Sequence, residues 1–462
     1  MKLPFASNQN IPYEPKPVVE IDQKSTDDPL PFEEWDSLMT EFGLQDDDDP
    51  TKSSNHSQMI APTMSLFLPS EFDNPNSIHF MNPYHADHTN DPNETSQTAG
   101  LDFVDELIRI AECLETQSFQ LAQVILARLN HRLPVPNGKP LQRAAFYFKE
   151  AIQNLLTGST RPTGSSEIIQ TIKAYKTFST ISPIPMFANF TANQAILEAV
   201  DGAMIVHVID FDIHVSMGGH WASFMKEIAE KAELRKVNSP AFRITAIVLE
   251  EHELESRLIS DNLRQFARDL KLRFDIEFVT VETFRNLSFK SVKFYDGERI
   301  AILLSPVIFQ RIGVRFIDDM RGIAPHVIVH VDGEGMSGGT TSFRQTVIEG
   351  LEFYSTVLES LEAVNVGIGM GGGDWMRKIE VFVLLPKITA VVEGAGHRVT
   401  PWKEVFGRAG MRLVGQSQFA DFQAECLLRR IQVRGFHVAK QQGEMVLCWH
   451  DRPLVSTSAW RC

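Results

Sequence analysis

Met204-Ile-Val-His-Val-Ile-Asp-Phe211 is an apolar, β-branched run that closes on two acids, Asp210 and Asp212. A run of this kind forms a strand buried on both faces, as in a parallel sheet. A glycine-bearing loop follows, His214-Val-Ser-Met-Gly-Gly-His220, and a helix opens at Trp221. Strand, glycine loop and helix present a ligand site at the sheet edge of an α/β fold.

Further strands and helices alternate outward from this centre. Strands are expected over Ile205–Phe211, Phe242–Leu249, Phe274–Val281, Ile300–Leu304 and Val327–Val331. Helices are expected at Trp221–Ala232, Leu254–Leu270 and Phe343–Leu361, the last with Phe343, Val347, Leu351, Tyr354, Leu358 and Leu361 on one stripe. Near the end, Gly435–Ala439 and Met445–Trp449 flank Gln441-Gln-Gly443 and predict a terminal antiparallel hairpin. The fold class is therefore α/β, with a mostly parallel sheet similar to the methyltransferase variant of the Rossmann architecture. Ahead of the sheet, three helices form a cap. The first carries Val104, Leu107, Ile108, Ala111 and Leu114, the second Leu121, Val124, Ile125 and Leu129, and the third runs from Leu141 to Leu156.

The charge divides the chain. Residues 1–100 hold 18 Asp/Glu and 4 Lys/Arg, which is −14 of the chain's −15 and leaves −1 for residues 101–462. A near-neutral body does not suit strong autonomous binding to a nucleic-acid backbone, which needs clustered cations. The first hundred residues are rich in Pro, Asn, Ser and Asp and read as a disordered acidic tail. Within it, Phe32, Trp35, Leu38, Met39 and Phe42 stand at helical spacing among acids, a pattern that docks into a partner's groove. No apolar stretch reaches the roughly 18 residues of a membrane span, and no signal peptide is expected. Cys113, Cys426, Cys448 and Cys462 form no Cys-x-x-Cys pair, so the chain reads as soluble, intracellular and reduced.

Three strand ends carry acids: Asp210 with Asp212, Glu250 with Glu251, and Asp332. Asp212, Glu250 and Asp332 suit a site for S-adenosylmethionine, where the acid after the second strand holds a ribose. Such a site needs acid-x-Gly-x-Gly-x-Gly, because only glycine lets backbone approach the ligand. This chain has Asp212-Ile-His214-Val-Ser216-Met-Gly218, so the cleft reads as vestigial. His207, His214 and His220 match no common zinc spacing, and no metal is expected. His207 is expected to pack in its strand or to help orient Asp210. The glycine-rich stretches at 332–339 and 369–373 lack the Walker ending, and no nucleophile elbow is present. A non-enzymatic protein without cofactor is expected.

Val206-His207-Val208-Ile209-Asp210 resembles the Val-His-Ile-Ile-Asp signature of the GRAS family of plant transcriptional regulators. Ser458-Ala459-Trp460 is similar to that family's closing motif, and Phe353-Tyr354 falls where its Phe-Tyr pair is expected. Arg377-Lys-Ile-Glu380 is a looser match to its Arg-Glu element. The resemblance implies a GRAS domain over 101–462 behind a tail of 1–100. Its parts would be a first leucine-rich region at 101–156, a signature region at 171–236, a second leucine-rich region at 251–283, a central region at 293–384 and a closing region at 387–462. It implies a nuclear regulator that acts through protein partners: other family members, DNA-bound transcription factors and coregulators. Homo- or heterodimers and direct DNA contact are also implied. The family pattern reads Asp-Ile-Gly-x-Gly-x-Gln-Trp after the first strand. Here His214 replaces the first glycine, about two residues are added before Trp221, and His220 stands for the glutamine. Trp460 is expected to anchor the terminal hairpin in the core.

Overall fold

A computed structural model describes residues 102–158, 165–214, 216–333, 342–368, 374–396, 401–431 and 433–462. Five helices lead: α1 Asp102–Glu115, α2 Phe119–Arg132, α3 Pro140–Thr157, α4 Ser165–Ile181 and α5 Pro183–Ala199. Then come β1 Ile205–Asp210, α6 Gly219–Leu234, β2 Ala241–Val248, α7 Glu253–Asp269, β3 Phe274–Thr280, α8 Val281–Leu287 and β4 Glu298–Leu304. They are followed by α9 Pro306–Ile312, α10 Phe316–Ile323, β5 Val327–Asp332, α11 Phe343–Ile368 and α12 Asp374–Ile379. A π-helical turn, Glu380–Leu384, joins α12 to α13 Leu385–Gly394. The chain finishes with α14 Trp402–Arg408, β6 Arg412–Val414, α15 Gln418–Ile431, β7 Phe436–Gln441, β8 Glu444–Trp449 and β9 Arg452–Arg461.

The sheet runs in the order β3-β2-β1-β4-β5-β9-β8-β7, with β6 paired to β9. The first five strands are parallel, in registers such as Val206↔Phe242, His207↔Ile300 and Ile302↔Ile328. The remaining pairings are antiparallel. Val206, Val208 and Ile209 are buried, as are Phe242, Ile244 and Ala301 beside them. Burial on both faces is why these strands read as continuous apolar runs instead of alternating ones.

The hairpin expected near the end is present as β7 and β8, but the wing has a further strand. β9 inserts between β5 and β8, and Trp460 lies opposite Ile328 of β5 and Leu413 of β6. Trp460 therefore anchors the junction of the parallel and antiparallel halves, among Ile328, Phe406 and Met411, not the hairpin.

Helices α1, α2, α3 and α11 pack together with α13 in a second core. α3 begins where Pro140 sets the first turn, and the Gln142 side chain accepts the Lys139 N–H at 2.9 Å. It stops at Gly158, whose φ of 62° favours glycine. In α2 the apolar face differs from the expectation. Ala122, Ile125, Leu126 and Leu129 are buried, whereas Leu121 and Val124 are 55% and 66% exposed. The buried set repeats at three and four residues, and Leu121 and Val124 fall to one side of that stripe. No helix among the described residues is long and apolar enough to cross a membrane.

Candidate functional site

The signature on β1 divides its work between the two ends of the strand. Near the start, His207 is fully buried. Its Nε2 meets the Thr245 hydroxyl at 2.9 Å and its Nδ1 meets Glu298 Oε2 at 3.1 Å. Glu298 also accepts the Tyr295 N–H at 3.1 Å and pairs with Arg243, whose guanidinium lies 4.2 Å over the Tyr295 ring. Burial holds the imidazole below its usual pKa, against the pull of Glu298. Of the two roles open to His207, the geometry selects packing. It ties β1 to β2 and β4, and its hydrogen bonds go to Thr245 and Glu298, not to Asp210.

Asp210 ends the strand, also fully buried. One carboxylate oxygen accepts the Asp212 N–H at 2.7 Å and the other accepts Trp221 Nε1–H at 2.7 Å. Burial raises its pKa to about 7 even though both donors favour the anion. Asp210 thus clamps the loop and the first turn of α6. Trp221 is wholly buried against Phe224 and Phe242.

The polar side chains of the loop between them bond to one another and to the start of α7. Ser216 Oγ meets His220 Nδ1 at 2.7 Å. His214 Nε2 meets Ser256 Oγ at 3.3 Å, and its ring packs edge-on against His252 with centroids 4.5 Å apart. Burial lowers the pKa of both His214 and His220 to about 3, so both are neutral near pH 7. Gly218 alone keeps the glycine role. Its φ is 74°, and a Cβ there would stand 2.9 Å from Ile259 Cγ2.

The three candidate cleft acids lie at or just after the ends of three different strands, β1, β2 and β5. Asp212 lies half-buried after β1, where burial raises its carboxyl and Ser305, Arg311 and Lys387 oppose the rise. Tyr175 of α4 is close enough to feel that charge, and burial pushes its phenol to about 12. Glu250 is exposed in a short 3₁₀ turn at the end of the neighbouring strand β2. Asp332 closes β5, two strands from β1, roughly 10 Å away at ordinary strand spacing, and faces Ser456 of β9. The tail residues Phe32, Trp35, Leu38, Met39 and Phe42 lie outside the described residues, as do 334–339 and 369–373. Among the described residues, no group of three His, Cys, Asp or Glu could hold a metal ion.

A family model, the GRAS domain family, matches residues 103–461. The chain belongs to the GRAS family. Scarecrow-like protein 15 of Arabidopsis thaliana is 46% identical over 460 residues, spanning 93% of this GRAS chain and 92% of that protein. Scarecrow-like protein 6 of the same plant is 38% identical over 367 residues, which are 78% of this chain and 62% of its own. DELLA protein GAI1 of Vitis vinifera is 29% identical over 386 residues, or 79% and 62%.

The other motif residues of this GRAS chain lie in its two cores. Ser458, Ala459 and Trp460 sit opposite His330, Val329 and Ile328, and Trp460 Nε1–H donates to Ser458 Oγ at 2.9 Å. Phe353 and Tyr354 are buried in α11, with Tyr354 edge-on to Phe148. Arg377 and Glu380 form one pair in a larger buried network. Tyr147 donates to Glu380 at 2.7 Å, Arg377 donates to Tyr147 at 3.0 Å, and Arg143 reaches Glu380 at 3.3 Å. The network fastens α3 to the π turn, a local irregularity often kept where geometry matters.

Sequence reasoning missed His330 and its neighbours. His330 is fully buried in β5, stacked on Trp402 with ring centroids 3.9 Å apart, and neither ring nitrogen has a hydrogen-bond partner among the described residues. The signal was available: a histidine alone in the run Val327-Ile-Val-His-Val331. Burial and nearby Lys403 lower its pKa to about 3, against roughly 6.5 in an unfolded chain. Between these values the unfolded chain takes up a proton that the folded one refuses. Stability is full above about pH 6.5 and is lost at roughly 1.4 kcal/mol per pH unit as pH falls toward 3. His330→Phe removes two unpaired buried nitrogens and this pH sensitivity. It should stabilise the fold by about 1–3 kcal/mol at pH 7, with a wider margin at pH 5. Denaturant midpoints at the two pH values measure both, and a margin that does not widen would mean that the histidine is hydrated.

Proposed function

We propose that the chain is a nuclear transcriptional regulator of plant growth and development that acts without catalysis. It works mainly through protein–protein contact with other GRAS proteins, DNA-bound transcription factors and coregulators, and direct DNA contact is a further route. The observation that carries this reading is the loop after β1. His214 and Ser216 stand where a ligand-binding loop of this kind needs glycine, and His214, Ser216 and His220 are each hydrogen-bonded to a neighbour. The strand order β3-β2-β1-β4-β5 supports a Rossmann-like, methyltransferase-like core kept as a scaffold. The similarity to Scarecrow-like and DELLA proteins supports the regulatory reading. The subdivision at 101–156, 171–236, 251–283, 293–384 and 387–462 follows the same reading. Phe119, Leu121 and Val124, exposed along α2, offer a face for homo- or heterodimers.

The acidic tail is the proposed coregulator contact. Alanine at Phe32, Trp35 and Phe42 together should cut reporter output several-fold and leave the melting temperature of the body unchanged. Unaltered output would remove the tail from the account.

A second reading is a small-molecule or S-adenosylmethionine protein on the same core. It is favoured by Asp212 and Glu250 on adjacent strand ends, with Arg311 and Lys387 near Asp212. Calorimetry with S-adenosylmethionine decides between the two. Micromolar binding, lost on Asp212→Asn or Glu250→Gln, would replace the non-enzymatic reading.

A further inference from the structure

The end of the sheet opposite the candidate site gathers arginines that form no ion pair with a carboxylate side chain among the described residues. β4 and β5 begin at this end, and β6 and the end of β9 lie beside them. Arg299 stands at the start of β4 and His326 just before β5. Arg321 is on α10, Arg412 opens β6 and Arg461 ends β9. These residues are close to one another. His326 Nδ1 accepts the Ile300 N–H at 3.2 Å. Partial burial, with Arg299 and Arg461 beside it, lowers its pKa. Arg412 and Arg461 are direct partners in the ladder, so their side chains share one face. Arg321 Nη1 lies 3.7 Å from where a Cβ on Gly410 would be, two residues before Arg412.

Arg235, Arg257, Arg264 and Arg408 each rest on a carboxylate. Arg299, Arg321, Arg412 and Arg461 form no such ion pair among the described residues. Among the described residues, Arg299 donates to backbone carbonyls, of Asp201 at 2.7 Å and Ala199 at 3.5 Å. Asp318 and Asp319 lie in the first turn of α10 and are not paired with Arg321. Two arginines directly opposite each other on a ladder destabilise it unless an anion lies across them. In addition, among the described residues β6 has a single ladder partner, β9, so its other side offers backbone groups that no described strand pairs.

We propose that this edge is a docking surface for an acidic, extended segment of a partner protein. The segment adds its backbone to the free side of β6 and lays a carboxylate across Arg412 and Arg461, with Arg321 beside them. Strand addition supplies affinity through main-chain hydrogen bonds, and the guanidinium forks supply selectivity for carboxylates. A nucleic-acid backbone could use the cations but not the strand edge, and the near-neutral body offers it no longer basic track. The proposal rests on the partner-binding reading for its setting, but its test does not.

The full chain is titrated with a short fluorescein-labelled peptide of alternating Glu and Val, read by fluorescence anisotropy. A Gln–Val peptide and a labelled DNA duplex are the controls. The Glu–Val peptide should bind, more weakly as salt rises, and the Gln–Val peptide should not. The double change Arg412→Ser, Arg461→Ser should weaken binding about 10-fold or more, on the scale of a lost charge pair. The melting temperature should hold or rise, because a like-charge pair has gone. Arg321→Ser, outside the ladder, should weaken binding in the same direction without touching the sheet. Equal binding by wild type and variants overturns the proposal, as does no binding to wild type, or preference for the duplex at equal salt. A failed titration beside an intact reporter response to the tail changes would sink this surface and leave the regulator reading standing.

Discussion

Glu298→Ala should lower the stability of the fold by about 3–5 kcal/mol, the cost of breaking a buried ion pair from one side. Glu298 is almost completely buried and joins four groups: Arg243, the Nδ1 of His207, the Tyr295 N–H and, through His207, Thr245. Removing the carboxylate leaves Arg243, itself only 8% exposed, without an anion in a dry setting. It also frees a histidine nitrogen between β1 and β4. Glu298→Gln keeps the hydrogen-bonding shape and loses the charge, so it should fall between wild type and alanine. Urea unfolding of the three proteins tests the order. A loss below about 1 kcal/mol for alanine would show that water reaches Arg243 and replaces the carboxylate.

Trp221→Ala should cost a similar amount, about 3–5 kcal/mol, because it empties a wholly buried indole site against Phe224 and Phe242. Trp221→Phe isolates the hydrogen bond. The ring volume largely remains, Asp210 loses its 2.7 Å donor, and the cost falls to about 1–3 kcal/mol. The loss depends on pH. Burial already raises Asp210 to about 7, above its unfolded value, so the folded chain holds this proton more tightly. Its contribution is present at low pH and is lost as pH rises through 7. Removing a donor that favours the anion raises the folded pKa further. Trp221→Phe should therefore cost more at pH 8 than at pH 6. Equal costs would mean that Asp210 does not change its charge between these two pH values.

The parallel half of the sheet was legible because burial on both faces demands a single composition. Val206, Val208 and Ile209 show it, and the edges of β1 to β5 fall within about two residues of the expected ones. β9 was illegible for the opposite reason. Pro453, Ser456, Thr457 and Ser458 interrupt its apolar residues, yet Thr457 and Ser458 are buried, and Thr457 lies 2.6 Å from Thr191. α5 hid in a similar way. Thr191, Asn193 and Gln194 are buried beside Phe187, Ile196 and Leu197, so no polar face marks it as a helix. At the candidate site, the positions of the acids could be read but their duties could not. Asp210 looks like the mouth of a cofactor site until Trp221 and the Asp212 amide are seen to use both of its oxygens. Nothing in the local sequence says that Glu298, far along the chain, holds His207.

The insertion of β9 between β5 and β8 also governs when the protein can finish folding. During translation β1 to β5 leave the ribosome first and can pair among themselves. The open side of β5 then waits until residues 452–461 emerge. Until that moment the nascent chain displays an unsatisfied, apolar strand edge, which favours association with other chains. A premature stop before residue 452 would therefore remove an interior rung rather than trim an end. Such a product should be found with chaperones or in aggregates, not as a shortened soluble protein.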